Sequence, residues 1–570
     1  MSESVEKRKF GDEEIDVIYK KARPAGVGEN KDTYPPPLPS TTVMDGMRIE
    51  RDVSLPLRDG TMIYTDIFRP EGATNVPSII SWTPYGKRNY VSTPPWQAML
   101  KDGTCTLMAK FECAEPTYWC KQGYAVINPD PRGVAFSQGD IPCFGTQEGR
   151  DGYDLIEWVA SREWSNGKTA LFGNSWAAMA QWYIAAEKPP HLTCMAPWEG
   201  ISDIYREAVC WGGMRETSFW TWIVNWVGVG PNRVEDFVAM AKKYPLMNGY
   251  WEDKVPKFEN VEIPAYLTAG WCHFHLRGST EAFQRISSPS KWLRVHRDFE
   301  WYDDFQPENI ADLQRFFDRY LKGIHNGWEM TPKVRMDVMD SGDMDYQHWR
   351  PEKEFPLART RYEKLYLDAK TGQLSKTAPT TESSVRYEAP AGRVNFVMPF
   401  DEETELTGYM KLRLWVEADG SNDMDLFVTV QKLDEKGEQM PVRFHAGDPV
   451  TYPHPGFPGK LRVSLRELDE KMSKPYKPYY PYRHEQLLKP NEIVPVDIEV
   501  WPTSMIWHPG QQLRVVVSGN YFREPGWFET FTWDLRNKGN HIIHTGGKYD
   551  SHLLVPVIPP KVTARGYSYR

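Results

Sequence analysis

One serine stands in a setting that suits nucleophilic chemistry. Ser175 lies in the stretch GNSWAAMAQ (173–181), directly after the short apolar run KTALF (168–172). A strand, a tight turn and a helix in this order lift a serine hydroxyl clear of a sheet and aim the next backbone N–H, that of Trp176, at a developing oxyanion. Ala177 occupies the last position of the usual G-x-S-x-G pattern. Because Gly and Ser also meet at helix starts as caps, the stretch by itself indicates a nucleophile only weakly.

A serine hydroxyl is a poor nucleophile and needs a general base within hydrogen-bond reach. With a nucleophile on a strand-to-helix turn, the histidine is expected later in the chain, after the last strands of the sheet. His296 ends the apolar run WLRVH and stands in that place. We therefore expect Ser175 to attack and His296 to accept and return its proton.

The elements needed to position these residues are visible as short β-rich runs alternating with helical patterns. The segment 47–70 predicts a hairpin that turns at Asp59-Gly60. Buried parallel strands are predicted for PSIISWTPYG, YAVINPDPRG, TALFG, LTCMAPWEG, AYLTAGWCHF and WLRVH, and a helix for GRDGYDLIEWVASREW. Such alternation predicts a parallel α/β sheet.

An insertion of about 60 residues separates LTCMAPWEG from AYLTAGWCHF and has helical character. Its aromatic and aliphatic residues Phe219, Trp222, Ile223 and Trp226 follow helical spacing. Placed above the carboxyl edge of a sheet, such an insertion forms a cap. Two interpretations stay open: these side chains pack the core of the cap, or some of them line an apolar substrate pocket.

Four regions follow from these patterns. Residues 1–40 are polar, end in PPPLP and predict an extended arm. The catalytic α/β domain is expected at 41–200 and 261–364, with the helical cap at 201–260. From about residue 365 to 570, alternating runs such as YMKLRLWVEA and QLRVVVSG predict an all-β sandwich.

Composition excludes several classes of protein. The net charge of −9 over 570 residues argues against a nucleic-acid partner, which needs a basic face. No apolar run is long enough to span a bilayer, and the charged N-terminus lacks the apolar stretch of a signal peptide. The seven cysteines form no CxxC pair or zinc-like spacing. We expect a soluble cytoplasmic protein with reduced thiols.

Several motifs resemble the α/β-hydrolase family that contains bacterial cocaine esterase and the X-prolyl dipeptidyl-peptidases, and the esterase branch more closely. They include SWTPYGK, DPRGVAFSQGD, the turn at Ser175, AGWCHFHLRGSTEAF, FFDRYLKG and PVDIEVWPTSMIWHPGQQLRVVVSG. The resemblance runs from Met47 to the C-terminus. It implies an α/β-hydrolase core, a helical cap and a C-terminal jelly-roll of the galactose-binding type. It also implies that Tyr85 of SWTPYGK donates its hydroxyl to the oxyanion beside the Trp176 amide.

The chain departs from this family at the acid of the triad. The family has a motif of the type G-W-Y-D, whereas this chain has Gly270-Trp271-Cys272-His273. An imidazole cannot support His296 as a carboxylate does, and loss of that carboxylate costs about 10⁴ in kcat. Glu199, at the end of LTCMAPWEG, is our candidate for the relocated acid, since its strand opens toward the same edge of the sheet. Asp298 and Glu300 are alternatives, although side chains so close in sequence reach His296 only if the loop folds back.

The leading hypothesis is a serine hydrolase that cleaves an ester, or an amide, with an apolar acyl group through an acyl-enzyme on Ser175. The alternatives are an X-Pro dipeptidyl peptidase, an acyl-transfer or cyclising enzyme, and a catalytically silent scaffold. His273 and His275 are two apart beside Cys272, but no third ligand is visible, so neither a metal nor another cofactor is expected. The expected partner is a small-molecule substrate, and the jelly-roll leaves a homodimer open.

Overall fold

The computed structural model describes residues 3–23, 36–88, 106, 108–342, 344–445, 451–522, 531–562 and 568–569. Its helices are α1 (Pro116–Lys121), α2 (Thr146–Ala160), α3 (Trp176–Ala186), α4 (Phe219–Val227), α5 (Phe237–Lys243), α6 (Gly249–Asp253), α7 (Leu276–Arg285), α8 (Glu300–Asp304) and α9 (Pro307–Leu321). A π-helical turn spans Tyr205–Val209, and 3₁₀ turns span Trp211–Gly213, Phe258–Asn260, Trp328–Met330 and Val463–Leu465.

The strands of the first part of the chain are β1 (Glu3–Phe10), β2 (Glu13–Lys21), β3 (Ser40–Met44), β4 (Met47–Pro56), β5 (Met62–Pro70), β6 (Val76–Ile80), β7 (Ala125–Asp130), β8 (Ser165–Asn174), β9 (Leu192–Trp198), β10 (Arg233–Glu235), β11 (Ala265–Gly270), β12 (Lys291–His296), β13 (Val334–Met339) and β14 (Asp345–Glu352).

The later strands are β15 (Arg361–Asp368), β16 (Gln373–Ser375), β17 (Ser383–Glu388), β18 (Arg393–Pro399), β19 (Thr404–Asp419), β20 (Asp425–Leu433), β21 (Arg443–His445), β22 (Thr451–Pro453), β23 (Phe457–Arg462), β24 (Val494–Trp507), β25 (Gln512–Ser518), β26 (Asn540–Thr545), β27 (His552–Val557), β28 (Lys561–Val562) and β29 (Ser568–Tyr569).

A central parallel sheet carries the elements that position the predicted site. Its strands lie in the order β7-β6-β8-β9-β11-β12-β13, and all six neighbouring pairs are parallel. The antiparallel strands β3, β4 and β5 extend it on the β7 side. The predicted hairpin of β4 and β5 and the predicted parallel strands are therefore confirmed. Apolar side chains on both faces explain the continuous hydrophobic runs, since helices cover such sheets on both sides.

The region expected as a cap, 201–260, contains the π-helical turn, α4, α5 and α6. Within α4, Phe219 and Ile223 are buried, which fits the core interpretation. Trp226 instead packs on Tyr85, with ring centroids 4.7 Å apart, and its neighbour Trp222 is 45% exposed. The apolar side chains of α4 thus pack both in the core of this region and around Tyr85.

The N-terminal residues differ from the predicted extended arm. Strands β1 and β2 form an antiparallel hairpin, and β2 pairs with β10 of the inserted region. Ile15, Val17 and Tyr19 of β2 are buried. The overall polarity of the segment led to the prediction of an arm. The burial of this short apolar strand could not be predicted locally, because it depends on a partner more than 200 residues away. Residues 24–35 of the predicted arm lie outside the described residues.

The C-terminal part of the chain is rich in antiparallel strands. The long strand β19 pairs with β24, β26 and β27, and β25 lies between β18 and β20. A single parallel bridge, Met339 to Met505, connects β13 of the α/β sheet to β24. An α/β part followed by a β-rich part agrees with the predicted fold class at this level.

In the described part of the chain, no helix is both long and apolar enough to cross a membrane. Six cysteines there are buried: Cys113, Cys120, Cys143, Cys194, Cys210 and Cys272.

Candidate active site

Ser175 lies on the predicted turn between β8 and α3 in a strained conformation, with φ 57° and ψ −119°. A non-glycine residue at positive φ costs on the order of 1–3 kcal/mol and persists only where its surroundings impose it. Here the Ser175 N–H donates to the Glu199 carbonyl at 3.0 Å. At Gly173, a Cβ would lie 2.5 Å from the Ala177 Cβ and 2.9 Å from the Glu112 carbonyl oxygen. Gly173 and small Ala177 therefore permit the sharp turn.

The structure brings Ser175, Trp176 and Tyr85 together. The Tyr85 hydroxyl donates to Ser175 Oγ at 3.5 Å, and the neighbouring Trp176 backbone N–H acts to lower the pKa of the same tyrosine. Burial, and then the charge of Glu112, raises the pKa of Tyr85 well above its ordinary value. Tyr85 is therefore a neutral donor across the physiological pH range. Two donors thus lie beside the serine, as an oxyanion hole requires.

His296 and Glu199 are also in contact, and both ring nitrogens of His296 lie against groups other than Ser175. His296 Nε2 lies 2.8 Å from Glu199 Oε1, and Nδ1 donates to the Asp298 carbonyl at 3.0 Å. Burial disfavours the imidazolium, yet the carboxylates of Asp303 and Glu199 outweigh it and raise the pKa of His296. Among the described residues, no hydrogen bond joins Ser175 Oγ to a histidine. The two predicted oxyanion donors, Trp176 and Tyr85, therefore lie beside Ser175, and the predicted base, His296, contacts its predicted acid, Glu199.

A histidine–carboxylate cluster, defined here as Glu199, His273, His275 and Glu300, lies fully buried next to the turn. His273 contacts both carboxylates: its Nδ1 is 3.4 Å from Glu199 Oε2 and its Nε2 is 3.3 Å from Glu300 Oε1. His275 Nδ1 lies 2.9 Å from Glu300 Oε2. Glu300, considered from the sequence as a partner of His296, instead contacts His273 and His275.

Asn174 links this cluster to Ser175 and was not singled out from the sequence. Its side-chain Nδ2 donates to Glu300 Oε2 at 3.0 Å, and it directly precedes Ser175. Burial first, and then the charge of Glu199, raises the pKa of Glu300 to about 7, against the opposing effect of His273. Burial lowers the pKa of His275 to about 3, so its imidazole is neutral. The signal that could have identified Asn174 is its place at the carboxyl end of the strand before the serine.

A buried carboxylate, Glu148, anchors the side chain of Trp176, whose amide is the predicted oxyanion donor. The indole N–H groups of Trp176 and Trp82 donate to Glu148 Oε1 at 3.0 and 3.2 Å. Burial raises the pKa of Glu148 from 4.5 to about 7, despite these hydrogen bonds. Nothing in the sequence pattern of α2 distinguished this glutamate from solvent-exposed ones.

We expect Glu148 to make folding stability fall as pH rises from about 4.5 to 7. Below pH 4.5 both states hold the proton; between the two pKa values only the folded state does, so the carboxyl's contribution is lost as pH approaches 7. The full effect is on the order of 3 kcal/mol. Glu148→Gln, which keeps an oxygen for both indoles, should therefore raise the thermal midpoint relative to wild type more at pH 8 than at pH 5. An equal offset at both values would contradict this, and exposed Glu262→Gln is the control.

An aromatic pocket opens beside the cluster, between the α/β part and the β-rich part. His273, Trp220, Phe274 and Leu276 line one side, and residues of the β-rich part line the other: His454, Phe457, Pro458, Lys460, Trp501, Pro502, Tyr521, Phe531 and Trp533. Aromatic walls of this kind accept apolar ligand groups.

Comparisons with known proteins agree with this architecture. The family model described as X-Pro dipeptidyl-peptidase (S15 family) matches residues 59–231, and that of the X-Pro dipeptidyl-peptidase C-terminal non-catalytic domain matches residues 326–554. The cocaine esterase of Rhodococcus sp. (strain MB1 Bresler) is 23% identical, over 90% of this chain and 98% of that protein.

Two solved structures extend these similarities. An α-amino acid ester hydrolase has the same fold, with a TM-score of 0.65 and 16% identity over 90% of this chain and 98% of its own. A CocE/NonD family hydrolase from Staphylococcus aureus superposes with a TM-score of 0.85 and is 33% identical, over 91% of this chain and 96% of its own. Agreement of this extent, through both the α/β part and the β-rich part, establishes that the chain belongs to the CocE/NonD family of hydrolases.

Proposed function

We propose that this chain is a serine hydrolase that cleaves carboxylic esters with an apolar acyl group through an acyl-enzyme on Ser175. The observation that carries the proposal is the strained turn at Ser175 with two oxyanion donors, the Trp176 N–H and the Tyr85 hydroxyl, beside it. A serine that is not a nucleophile would not need a conformation that costs on the order of 1–3 kcal/mol.

The reaction proceeds in two halves. Ser175 Oγ attacks the ester carbonyl carbon, and the negative charge that forms on the carbonyl oxygen is stabilised by Trp176 and Tyr85. The alcohol leaves with a proton, and Ser175 carries the acyl group. Water then attacks the acyl carbon, the carboxylic acid leaves, and the serine regains its proton. The aromatic pocket beside His273 is the proposed site for the apolar acyl group.

His296, with Glu199 as its acid, stays our prediction for the general base. Their 2.8 Å contact supports this pairing. In the present conformation the second nitrogen of His296 donates to the Asp298 carbonyl. Action on Ser175 therefore requires the imidazole to give up one of these two partners. Hydrogen bonds of catalytic groups are often formed only in the complex with substrate.

An ester is favoured over an X-Pro peptide because the pocket offers no spare carboxylate for a free N-terminal ammonium among its described lining residues. Glu207 is the acidic residue there, and it is bound by Arg277 Nη1 at 2.6 Å and by the Ser202 hydroxyl.

The proposal also includes the predicted organisation and setting of the chain. These are a helical cap at 201–260, a jelly-roll at 365–570, a small-molecule substrate, a cytoplasmic location and a homodimer through the jelly-roll.

Labelling with a fluorophosphonate probe tests the proposal. We expect one adduct per chain by intact mass, located by peptide mapping on the peptide that contains Ser175. Turnover of p-nitrophenyl acetate, butyrate and octanoate, compared with Ala-Pro-p-nitroanilide, separates esterase from dipeptidyl peptidase activity. If the probe did not label the protein and none of these esters were hydrolysed, the proposal would be contradicted and a catalytically silent scaffold would be favoured. Product formation only in the presence of an added alcohol or amine would favour acyl transfer.

A further inference from the structure

A buried lysine, Lys110, lies beside the segment that carries Tyr85. Its side chain is buried, and its Nζ donates to the backbone carbonyls of Ser81, Thr83 and Pro129 at 3.3, 3.3 and 2.9 Å. An ammonium has three donors, and here each has one carbonyl acceptor. Because a buried charge is costly unless it is compensated, these hydrogen bonds fix where the three carbonyls lie.

Two of these carbonyls belong to the segment that follows β6 and contains Tyr85. Thr83 Oγ1 accepts the Tyr85 N–H at 3.3 Å, so a residue that Lys110 holds is hydrogen-bonded directly to Tyr85. At the other end of the segment, the Lys87 N–H donates to Asp130 Oδ1 at 2.6 Å. Lys110 and Asp130 thus attach both ends of the segment to the carboxyl end of β7.

The two residues after Lys110 connect this segment to the nucleophile turn. The Phe111 ring packs on Tyr85 with centroids 5.5 Å apart, and the Glu112 carbonyl accepts the Asn174 N–H at 3.0 Å. Glu112 has a positive φ of 62°, a conformation that persists only where its surroundings impose it. The backbone around Lys110 is therefore held in contact with both sides of the proposed site.

We propose that Lys110 is a positioning residue of the proposed oxyanion hole. Its ammonium fixes the segment that carries Tyr85 and so keeps the phenol hydroxyl within hydrogen-bond distance of Ser175 Oγ, at 3.5 Å. Lys110 acts through Tyr85 and not on the substrate. The inference rests on the proposed function, because it concerns the same site. A displacement of about 1 Å in a catalytic group lowers turnover by about 100-fold.

Lys110→Met tests this role, because methionine keeps most of the stem and removes all three donors. We expect kcat to fall by about 10- to 100-fold, with KM changed by less than about threefold. In a double-mutant cycle with Tyr85→Phe, Lys110→Met should lower kcat by no more than about threefold, because the hydroxyl that it positions is already absent. An equal loss of kcat in both backgrounds would indicate a general structural effect and overturn the proposal.

Lys432→Met is the matched control. Lys432 is also buried, but its Nζ pairs with Asp340 and it lies on β20 in the β-rich part of the chain. Its loss should lower stability and leave kcat within about threefold of the wild type. If Lys110→Met does not fold, Lys110→Gln, which keeps two donors on a shorter stem, replaces it in the cycle. Loss of the fold in both variants, checked by circular dichroism, would assign Lys110 a purely structural role and overturn the proposal.

A readout that needs no turnover separates this inference from the proposed function. With ¹³Cζ-labelled tyrosine, the NMR signal of Tyr85 is identified by its loss in Tyr85→Phe. We expect this signal to shift in Lys110→Met and to stay in place in Lys432→Met. A wild type without esterase activity would contradict the proposed function, and the signal would still test whether Lys110 holds Tyr85. An unchanged Tyr85 signal in folded Lys110→Met would overturn the inference.

Discussion

Ser175→Ala should abolish ester turnover, with a loss of kcat on the order of 10⁶ if the serine acts with its base as one unit. The reason is that the acyl-enzyme needs the Oγ atom, and no other hydroxyl occupies the turn between β8 and α3. Alanine removes one oxygen and keeps the backbone hydrogen bond from residue 175 to the Glu199 carbonyl. Folding should therefore be nearly unchanged. Single-turnover kinetics with p-nitrophenyl butyrate and fluorophosphonate labelling measure the effect.

A surface serine gives the matched control for this variant. Ser161 is exposed, and its hydroxyl donates to the Trp158 carbonyl at the end of α2. Ser161→Ala should keep wild-type turnover and labelling. If Ser175→Ala retained more than a small fraction of wild-type kcat, or still formed the fluorophosphonate adduct, the nucleophile would have to be assigned elsewhere.

Tyr85→Phe should lower kcat by about 10²–10³, with a smaller change in KM. The hydroxyl is the only group removed, and it is proposed to stabilise the oxyanion more strongly than the neutral ester. The ring stays packed against Trp226 and Phe111, with centroids 4.7 and 5.5 Å away, so phenylalanine fits the same space. Steady-state kinetics on a series of p-nitrophenyl esters measures the split between kcat and KM.

Tyr124→Phe is the control for Tyr85→Phe, because Tyr124 is also a buried tyrosine, and its hydroxyl donates to Asp318 far from Ser175 in sequence. It should change stability without changing kcat by more than about threefold. If Tyr85→Phe itself changed kcat by no more than threefold, the assignment of the Tyr85 hydroxyl to the oxyanion hole would be wrong. The Trp176 amide would then carry that role without it.

Much of the α/β part follows from local sequence. Apolar runs such as TALFG and WLRVH predict buried strands because both faces of a parallel sheet are covered, and the structure confirms them as β8 and β12. Gly173 indicates the sharp turn, because a Cβ at this position would meet the Ala177 Cβ and the Glu112 carbonyl oxygen. The N-terminal hairpin was wrongly predicted as an arm because its partner strand, β10, is distant in the chain.

The order of residues also determined which groups would share one sheet edge. Glu199, His273 and Glu300 follow β9, β11 and β12, three neighbouring parallel strands, so their proximity could be expected from the sequence alone. Which of these side chains face each other could not be expected from the sequence. Their pairing depends on the positive φ of Glu199, 59°, and on the Asp298 carbonyl that accepts a hydrogen bond from His296.

The sequence by itself determined the strand-to-helix turn at Ser175 and the neighbouring strands, because these rest on local backbone sterics and hydrophobic periodicity. The hydrolase family followed from the resemblance of its motifs. Only the tertiary structure decided that His296 contacts Glu199 rather than Ser175, and that His273 lies between two carboxylates. The physical reason is that side-chain pairing in a buried polar cluster depends on distances of a few ångströms between separate strands. Those distances are set by the packing of the whole domain.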